Sequence, residues 1–195
     1  VQKNLCYGII EEILTPSPMR IEPDCPVYRK CGGCSLRHIR YEEECRLKNR
    51  IVYENMRRIG GIELEELPLL PSPAVDGYRN KAQYPLTQTE EGVRGGFFAS
   101  RSHRVIPYED CALQPAVFGE ILRTVQQFMD RYHIPVYQEE TGTGLVRHVY
   151  LRRGTVSGEL MLCLVINGSE LPHCSQFVNQ VTEQFPEITS IILNI

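Results

Sequence analysis

From Gly77 onward, apolar and polar positions alternate in short bursts that predict a compact series of elements. Tyr78–Thr87, Gly92–Ala99 and His103–Ile106 read as strands separated by turn residues. Pro115 to Tyr132 reads as an amphipathic helix, because Val117, Phe118, Ile121, Leu122, Val125, Phe128, Met129 and Tyr132 recur at helical spacing. Pro115 suits its first position, and Pro135 lies just past its end. Leu145–Arg152 alternates as a strand. The unbroken run Leu160 to Ile166, within Glu159–Ile166, reads as a strand covered on both faces. Pro172–Phe185 is a second amphipathic helix with Cys174, Phe177, Val178, Val181 and Phe185 inward, and Thr189–Asn194 is a last strand. This order predicts an α+β fold, a mostly antiparallel sheet with helices on one face.

The first half is patterned differently. Residues 1–14 carry a partial alternation of Leu5, Tyr7, Ile9, Ile10, Ile13 and Leu14, too short to bury a core alone, and Thr15-Pro16-Ser17-Pro18 is a loop signal. Leu36 to Ile59 reads as a long helix with Tyr41, Cys45, Val52, Met56 and Ile59 on one face and Leu47 and Ile51 on another. A helix apolar on two sides packs on two sides. Gly60-Gly61 ends it, and residues 63–74, acidic and proline-bearing, read as a linker. The chain opens at Val1 rather than Met and closes inside the apolar run Ser190 to Ile195, so it reads as part of a longer chain.

Composition narrows the class. The 195 residues are 42% hydrophobic and 23% charged, ordinary for a globular protein. A net charge of −3 removes any global basic signature, so nucleic-acid binding would have to come from a local patch. No stretch approaches the roughly 18 apolar residues of a membrane span, and no secretory signal opens the chain. The expectation is a cytoplasmic, monomeric protein without membrane contact.

The eight cysteines then become metal or redox candidates rather than disulfides. Cys25, Cys31 and Cys34 fall within ten residues, and only Gly32-Gly33 separates the last two. The glycine pair suits a backbone that wraps tightly. Zinc or an iron–sulfur cluster takes four such ligands. Cys163 lies in an apolar strand and Cys174 on an apolar helix face, so both read as buried small hydrophobes. Cys45 shares a helix stripe, and Cys6 alternates with apolar neighbours. Cys111 sits in a polar loop before a helix, where a thiol can point at a metal. Position alone favours Cys111 and leaves Cys6 and Cys45 open.

Cys25-Pro26, Cys31-Gly32-Gly33-Cys34, His38, Tyr41, Lys48 and Val52 together resemble the C-P-x4-C-G-G-C-x2-Q-H-x2-Y-x2-Q-L-x2-K-x3-V signature of bacterial RNA (uracil-5-)-methyltransferases of the 23S rRNA type. Arg37, Glu44 and Cys45 depart from it. Gly77-Tyr78-Arg79-Asn80-Lys81 is similar to the family's G-Y-R-N-K segment, Cys111 to Pro115 to its C-x-L-x-P segment, and Thr141 to His148 to its T-G-x-G-L-x-R-H segment. The resemblance implies a 4Fe–4S cluster held by Cys25, Cys31, Cys34 and Cys111. It implies S-adenosylmethionine as methyl donor in the full-length protein, and RNA as partner, 23S rRNA ahead of tRNA.

The family's organisation implies that 1–20 is the tail of an N-terminal TRAM/OB-like barrel and 21–35 the cluster loop. It implies that 36–61 is a helix packing on a methyltransferase domain beyond the chain, and 72–195 the central RNA-recognition domain. In that family a cysteine thiolate adds to C6 of uracil, C5 takes the methyl group, and a base removes the C5 proton. The nucleophile and base belong to the C-terminal domain, and no glycine-rich cofactor loop follows a strand here. The chain alone is therefore expected to be inactive, with no catalytic or cofactor-binding residue of its own.

What remains is substrate recognition. Tyr78, Arg79, Lys81 and Tyr84 interleave stacking and phosphate-binding side chains on one strand. His148, Arg152 and Arg153 form a second group, with Leu145, Val149 and Leu151 on one face and His148, Tyr150 and Arg152 on the other. Arg147 has the parity of the buried face. His103, His133 and His173 read as plain surface residues, and the basic residues 46, 48, 50, 57 and 58 as a solvated helix face. A zinc-stapled RNA-binding module without catalysis is the alternative. An electron carrier is a weaker one, since it needs a reversible one-electron couple and a redox partner, and the long spacing to Cys111 gives it little support.

Overall fold

The structure is a computed structural model that describes residue 8 and residues 10–195. Residues 1–7 and 9 of the expected barrel tail, 1–20, lie outside the described residues. The chain divides into two compact units, Val1–Pro23 with Leu36–Pro71, and Asp24–Ser35 with Ser72–Ile195. Among the described residues no helix is long and apolar enough to cross a membrane.

The first unit is built on α1, Tyr41–Arg58. Glu42, Glu43 and Glu44 occupy its first turn and Arg57 and Arg58 its last, which matches the helix dipole at both ends. Arg46–Glu43, Lys48–Glu44 and the Arg57 and Arg58 pairs with Glu54 lace its surface. The helix starts five residues later than the periodicity predicts. Arg20 bridges Ile39, Ile21 N–H donates to His38 C=O at 3.0 Å, and Arg40 N–H donates to Met19 C=O at 2.9 Å. Those pairings hold Arg40 extended at φ −62°, ψ 146°, so the helix cannot begin before it. Gly61 at φ +64° ends it, and Ile62 N–H returns to Met56 C=O. Asn49 Nδ2 donates to Leu67 C=O and to Glu66 at 3.0 Å each, so the acidic stretch runs back along the helix. No residue of α1 is buried, and Ile51, Val52 and Ile59 are exposed.

The second unit is a six-stranded sheet in the order β3-β2-β1-β4-β5-β6. The strands are β1 Lys81–Thr89, β2 Gly92–Phe98, β3 Val105–Pro107, β4 Val146–Arg153, β5 Leu160–Ile166 and β6 Ile188–Asn194. All neighbours are antiparallel except β5 and β6, which α3 (Cys174–Gln184) connects in parallel. Helix α2, Ala116–Arg131, joins β3 to β4. The predicted α+β architecture holds, with strand ends shifted by at most three residues.

Phe118, Ile121, Leu122, Val125, Phe128 and Met129 of α2 and Phe177 and Val181 of α3 form one buried cluster with Ala82, Tyr84, Leu86, Val149, Leu151, Leu162 and Leu164. Phe128 and Phe177 meet edge-on at 5.0 Å. Gly95 lies where α2 crosses β2, and a Cβ there would come 2.8 Å from Leu122 Cδ1.

Three expectations change. β5 is not covered equally on both faces: Met161 and Val165 are half-buried, and only Cys163 is shielded on that side. Cys174 is exposed rather than inward, because α3 starts at it after His173 turns left-handed at φ 57°. Tyr84 belongs to the core, with zero exposure. Lys81 and Tyr84 differ in strand parity, so they cannot share a face.

Candidate cysteine centre and cationic strand face

Cys25, Cys31 and Cys34 are carried by a loop coiled on itself. Tyr28 N–H donates to Cys25 C=O at 3.1 Å and Cys31 N–H to Val27 C=O at 2.8 Å. Gly33 N–H points at Cys31 Sγ at 3.3 Å. The loop is stitched to the end of β2: Cys31 bridges Ala99, and Gly32 N–H donates to Phe98 C=O at 3.1 Å. A Cβ on Gly32 would lie 3.0 Å from Ser100 Cα, so a side chain there would crowd the backbone of residue 100.

Cys111 arrives from the segment before α2. Gln114 N–H donates to Cys111 C=O at 3.0 Å, and Arg123 of α2 holds Asp110 at 2.8 Å. Gly119 lets this segment lie against the helix, since a Cβ there would come 2.8 Å from Glu109 C=O. The Tyr84 hydroxyl donates to the buried Gln114 side chain, so Tyr84 anchors the Cys111 loop from beneath the sheet instead of facing a ligand. Burial pushes its phenol well above the ordinary range.

Burial also raises the Cys111 thiol. The Leu113 N–H on its sulfur opposes that shift, and Cys34, Cys25 and Cys31 add to it electrostatically. All four thiols belong to the second unit and are half-buried. Among the described residues, no group of three or more His, Cys, Asp or Glu is gathered closely enough to hold a metal ion. The donor set nevertheless suits a thiolate-ligated centre. It offers four cysteines and N–H donors aimed at two of the sulfurs, the kind of hydrogen bond that tunes such sites.

The sheet face away from the helices is cationic and aromatic. Lys81 pairs in register with Arg152, Gln83 with Tyr150, and Pro85 with His148, so these six share that face. Lys81 Nζ lies 5.7 Å from the Tyr150 ring centre. Tyr78 and Arg79 precede β1 and are exposed, with Gly77 N–H on Ala112 C=O and Arg79 N–H on Leu113 C=O, both at 2.8 Å. The backbone therefore ties the Tyr78–Arg79 stretch directly to the Cys111 loop. Arg153 is exposed at the end of β4, its N–H on Asn80 C=O.

Sequence parity misplaces Arg147. The register of β4 on β5 slips between Val146 and His148, so Val146 stays buried while Arg147 leaves the core and lies 4.6 Å over the Tyr137 ring. His103, which reads as a plain surface residue in the sequence, lines one cleft with Phe98, Tyr137, Arg147 and His148. No local pattern marks them, because three separate loops and strands bring them together. His148 is held below the ordinary histidine value, first by burial and then by Arg147.

No protein-family model matches the chain. Two bacterial relatives, each named "Uncharacterized RNA methyltransferase", match it end to end. The one from Bacillus cereus is 36% identical over 198 residues and the one from Clostridium tetani 34% over 194 residues, each covering 100% of this chain. The chain spans 43% and 42% of their lengths, less than half of either relative. Among solved structures, a Pyrococcus abyssi tRNA (uracil-54, C5)-methyltransferase in complex with S-adenosyl-L-homocysteine shares the fold. Its TM-score is 0.63 at 24% identity, over 85% of this chain and 37% of that one. With this similarity running through both units, the chain belongs to the RNA methyltransferase family that its bacterial relatives represent.

Proposed function

We propose that the chain is the substrate-positioning part of an enzyme that methylates C5 of a uridine in RNA, using S-adenosylmethionine bound by a domain beyond the chain. Cys25, Cys31, Cys34 and Cys111 would hold a 4Fe–4S cluster. Tyr78, Arg79, Lys81, His148, Arg152 and Arg153 would face the RNA, and Tyr84 leaves that set because it is buried. The observation that carries this reading is the stitching of both cysteine-bearing segments to the sheet that presents the cationic face, through Gly32–Phe98 at the end of β2 and Arg79–Leu113 just before β1. A cluster bound there supplies a rigid four-thiolate cross-link between the two segments and need carry no electrons. The protein's own residues then do the recognition: guanidinium and ammonium groups take phosphates, and Tyr78 and Tyr150 offer stacking faces. The reading places the protein in the cytoplasm as a monomer, with 23S rRNA ahead of tRNA as substrate. The solved neighbour's tRNA substrate keeps tRNA in view.

Anaerobic purification tests the centre. A brown protein absorbing broadly near ~400 nm, with about four irons per chain, is expected, and Cys111→Ser should lose the colour. A colourless, zinc-loaded protein would instead favour the zinc-stapled RNA-binding module. Methyl transfer from S-adenosylmethionine to RNA by the whole protein, and none by the 195-residue chain, is the expected activity pattern.

A further inference from the structure

Beside the cationic face lies a cleft of about 570 Å³, within the range of small-molecule sites. One wall is the pair Phe98 and His103, with rings stacked 5.3 Å apart at 26°. The β2–β3 turn sets that wall: Ala99 N–H donates to Arg104 C=O, and Arg101 turns left-handed at φ 55°. A second wall is Tyr137 with the Arg147 guanidinium 4.6 Å over its ring.

The second wall is fixed by the chain folding back on β4. Tyr137 N–H donates to Val146 C=O at 2.9 Å and Gln138 N–H to Thr143 C=O at 2.7 Å. Gly144, at φ +95°, makes this possible, because a Cβ would lie 2.1 Å from Val136 C=O. Glu139 of this fold-back joins the two walls through a 2.6 Å contact to His103. His148 lies between them, edge-on to Phe98 at 6.4 Å.

The composition of the cleft selects its occupant. Glu139 and Glu140 oppose a bare polyanion, while two flat walls and an edge-on imidazole suit a planar π system carrying polar edges. Arg104 and Arg147 suit a negative charge attached to that ring. We propose that the cleft takes one unstacked nucleobase of a single-stranded RNA segment, sandwiched between the Phe98–His103 pair and the Tyr137–Arg147 pair. The inference rests on the reading of this chain as RNA-binding and adds a base-holding subsite to the phosphate-binding strand face. The β-bulge after Val146 is what frees Arg147 to serve in it.

The test uses the full chain with a short fluorescein-labelled single-stranded RNA carrying one 4-thiouridine. Photocrosslinks are expected in the peptides holding Phe98–Arg104 and Tyr137–His148. Phe98→Leu and Arg147→Lys keep bulk and charge but remove a flat face, and each should weaken binding roughly 5- to 150-fold. Phe98→Leu should leave the salt dependence unchanged, since it touches no phosphate. An RNA abasic at the crosslinked position should bind wild-type protein as poorly as the variants bind the intact strand. If both folded variants bind like wild type while Lys81→Ala and Arg152→Ala bind weakly, the cleft is not a base site and the RNA-binding reading stands. If the wild-type chain binds no RNA, both readings fall. Circular dichroism identifies any variant that has lost its fold, and the abasic strand then decides on wild-type protein alone.

Discussion

The N–H of Gly32 donates to the carbonyl of Phe98 at 3.1 Å, so the cysteine loop and the aromatic end of β2 are one backbone unit. Whatever orders the loop also orders Phe98. Gly32→Ala places a methyl 3.0 Å from Ser100 Cα and crowds this junction. The expected cost is about 1–3 kcal/mol of stability, with a lower iron-to-protein ratio after anaerobic purification. Unchanged iron content and an unchanged urea midpoint would show that the junction tolerates a side chain.

Tyr84 separates a structural tyrosine from an RNA-facing one. Tyr84→Phe leaves the buried Gln114 oxygen without its donor and should cost about 1–3 kcal/mol in urea unfolding. RNA affinity, measured where the variant is fully folded, should not change. Tyr78→Ala is the opposite case: its exposed ring supports little packing, so stability should hold while RNA affinity falls.

Charge on the open strand face should show in salt dependence. Arg152→Ala and Lys81→Ala each remove one cation from a cross-strand pair, and each should reduce the slope of log affinity against log salt by roughly one. The double variant lowers the slope further if both groups meet phosphates. A slope equal to wild type in both single variants would remove these residues from the interface.

His148 gives stability a pH dependence of defined sign. Its folded-state value lies below the ordinary 6.5, chiefly through burial and then Arg147. As pH falls below the unfolded value, the unfolded chain takes up a proton that the folded chain refuses, so stability declines. The decline ends once pH passes the lower folded value. His148→Gln should flatten the loss of Tm seen on acidifying from neutrality. The neighbouring Glu139 is held below its ordinary value first by its hydrogen bond to His103, so a His103→Gln control is needed to separate the two.

Most of the strand and helix order was legible from hydrophobic spacing. α2 shows why: its stripe from Val117 to Tyr132 has one period and one buried side. Errors fall where a neighbour overrides the local pattern. The segment before α1 is helical by composition, but the backbone of residues 19–21 takes its pairing groups. Arg147 reads as inward by parity until the bulge resets the register.

The elements, the cysteine spacing and the family likeness are legible in residue order alone, because each is written in residues near one another or in a fixed order. That Tyr84 is a core anchor, and that Phe98, His103, Tyr137, Arg147 and His148 share one cleft, emerges from packing between distant segments. Those residues come from different strands and loops, and their meeting depends on sheet register, a bulge and a left-handed glycine. The same holds for the cysteine loop. Its three cysteines lie within ten residues, while Cys111 stands in a separate segment that the hydrogen bond of Arg123 to Asp110 holds against α2.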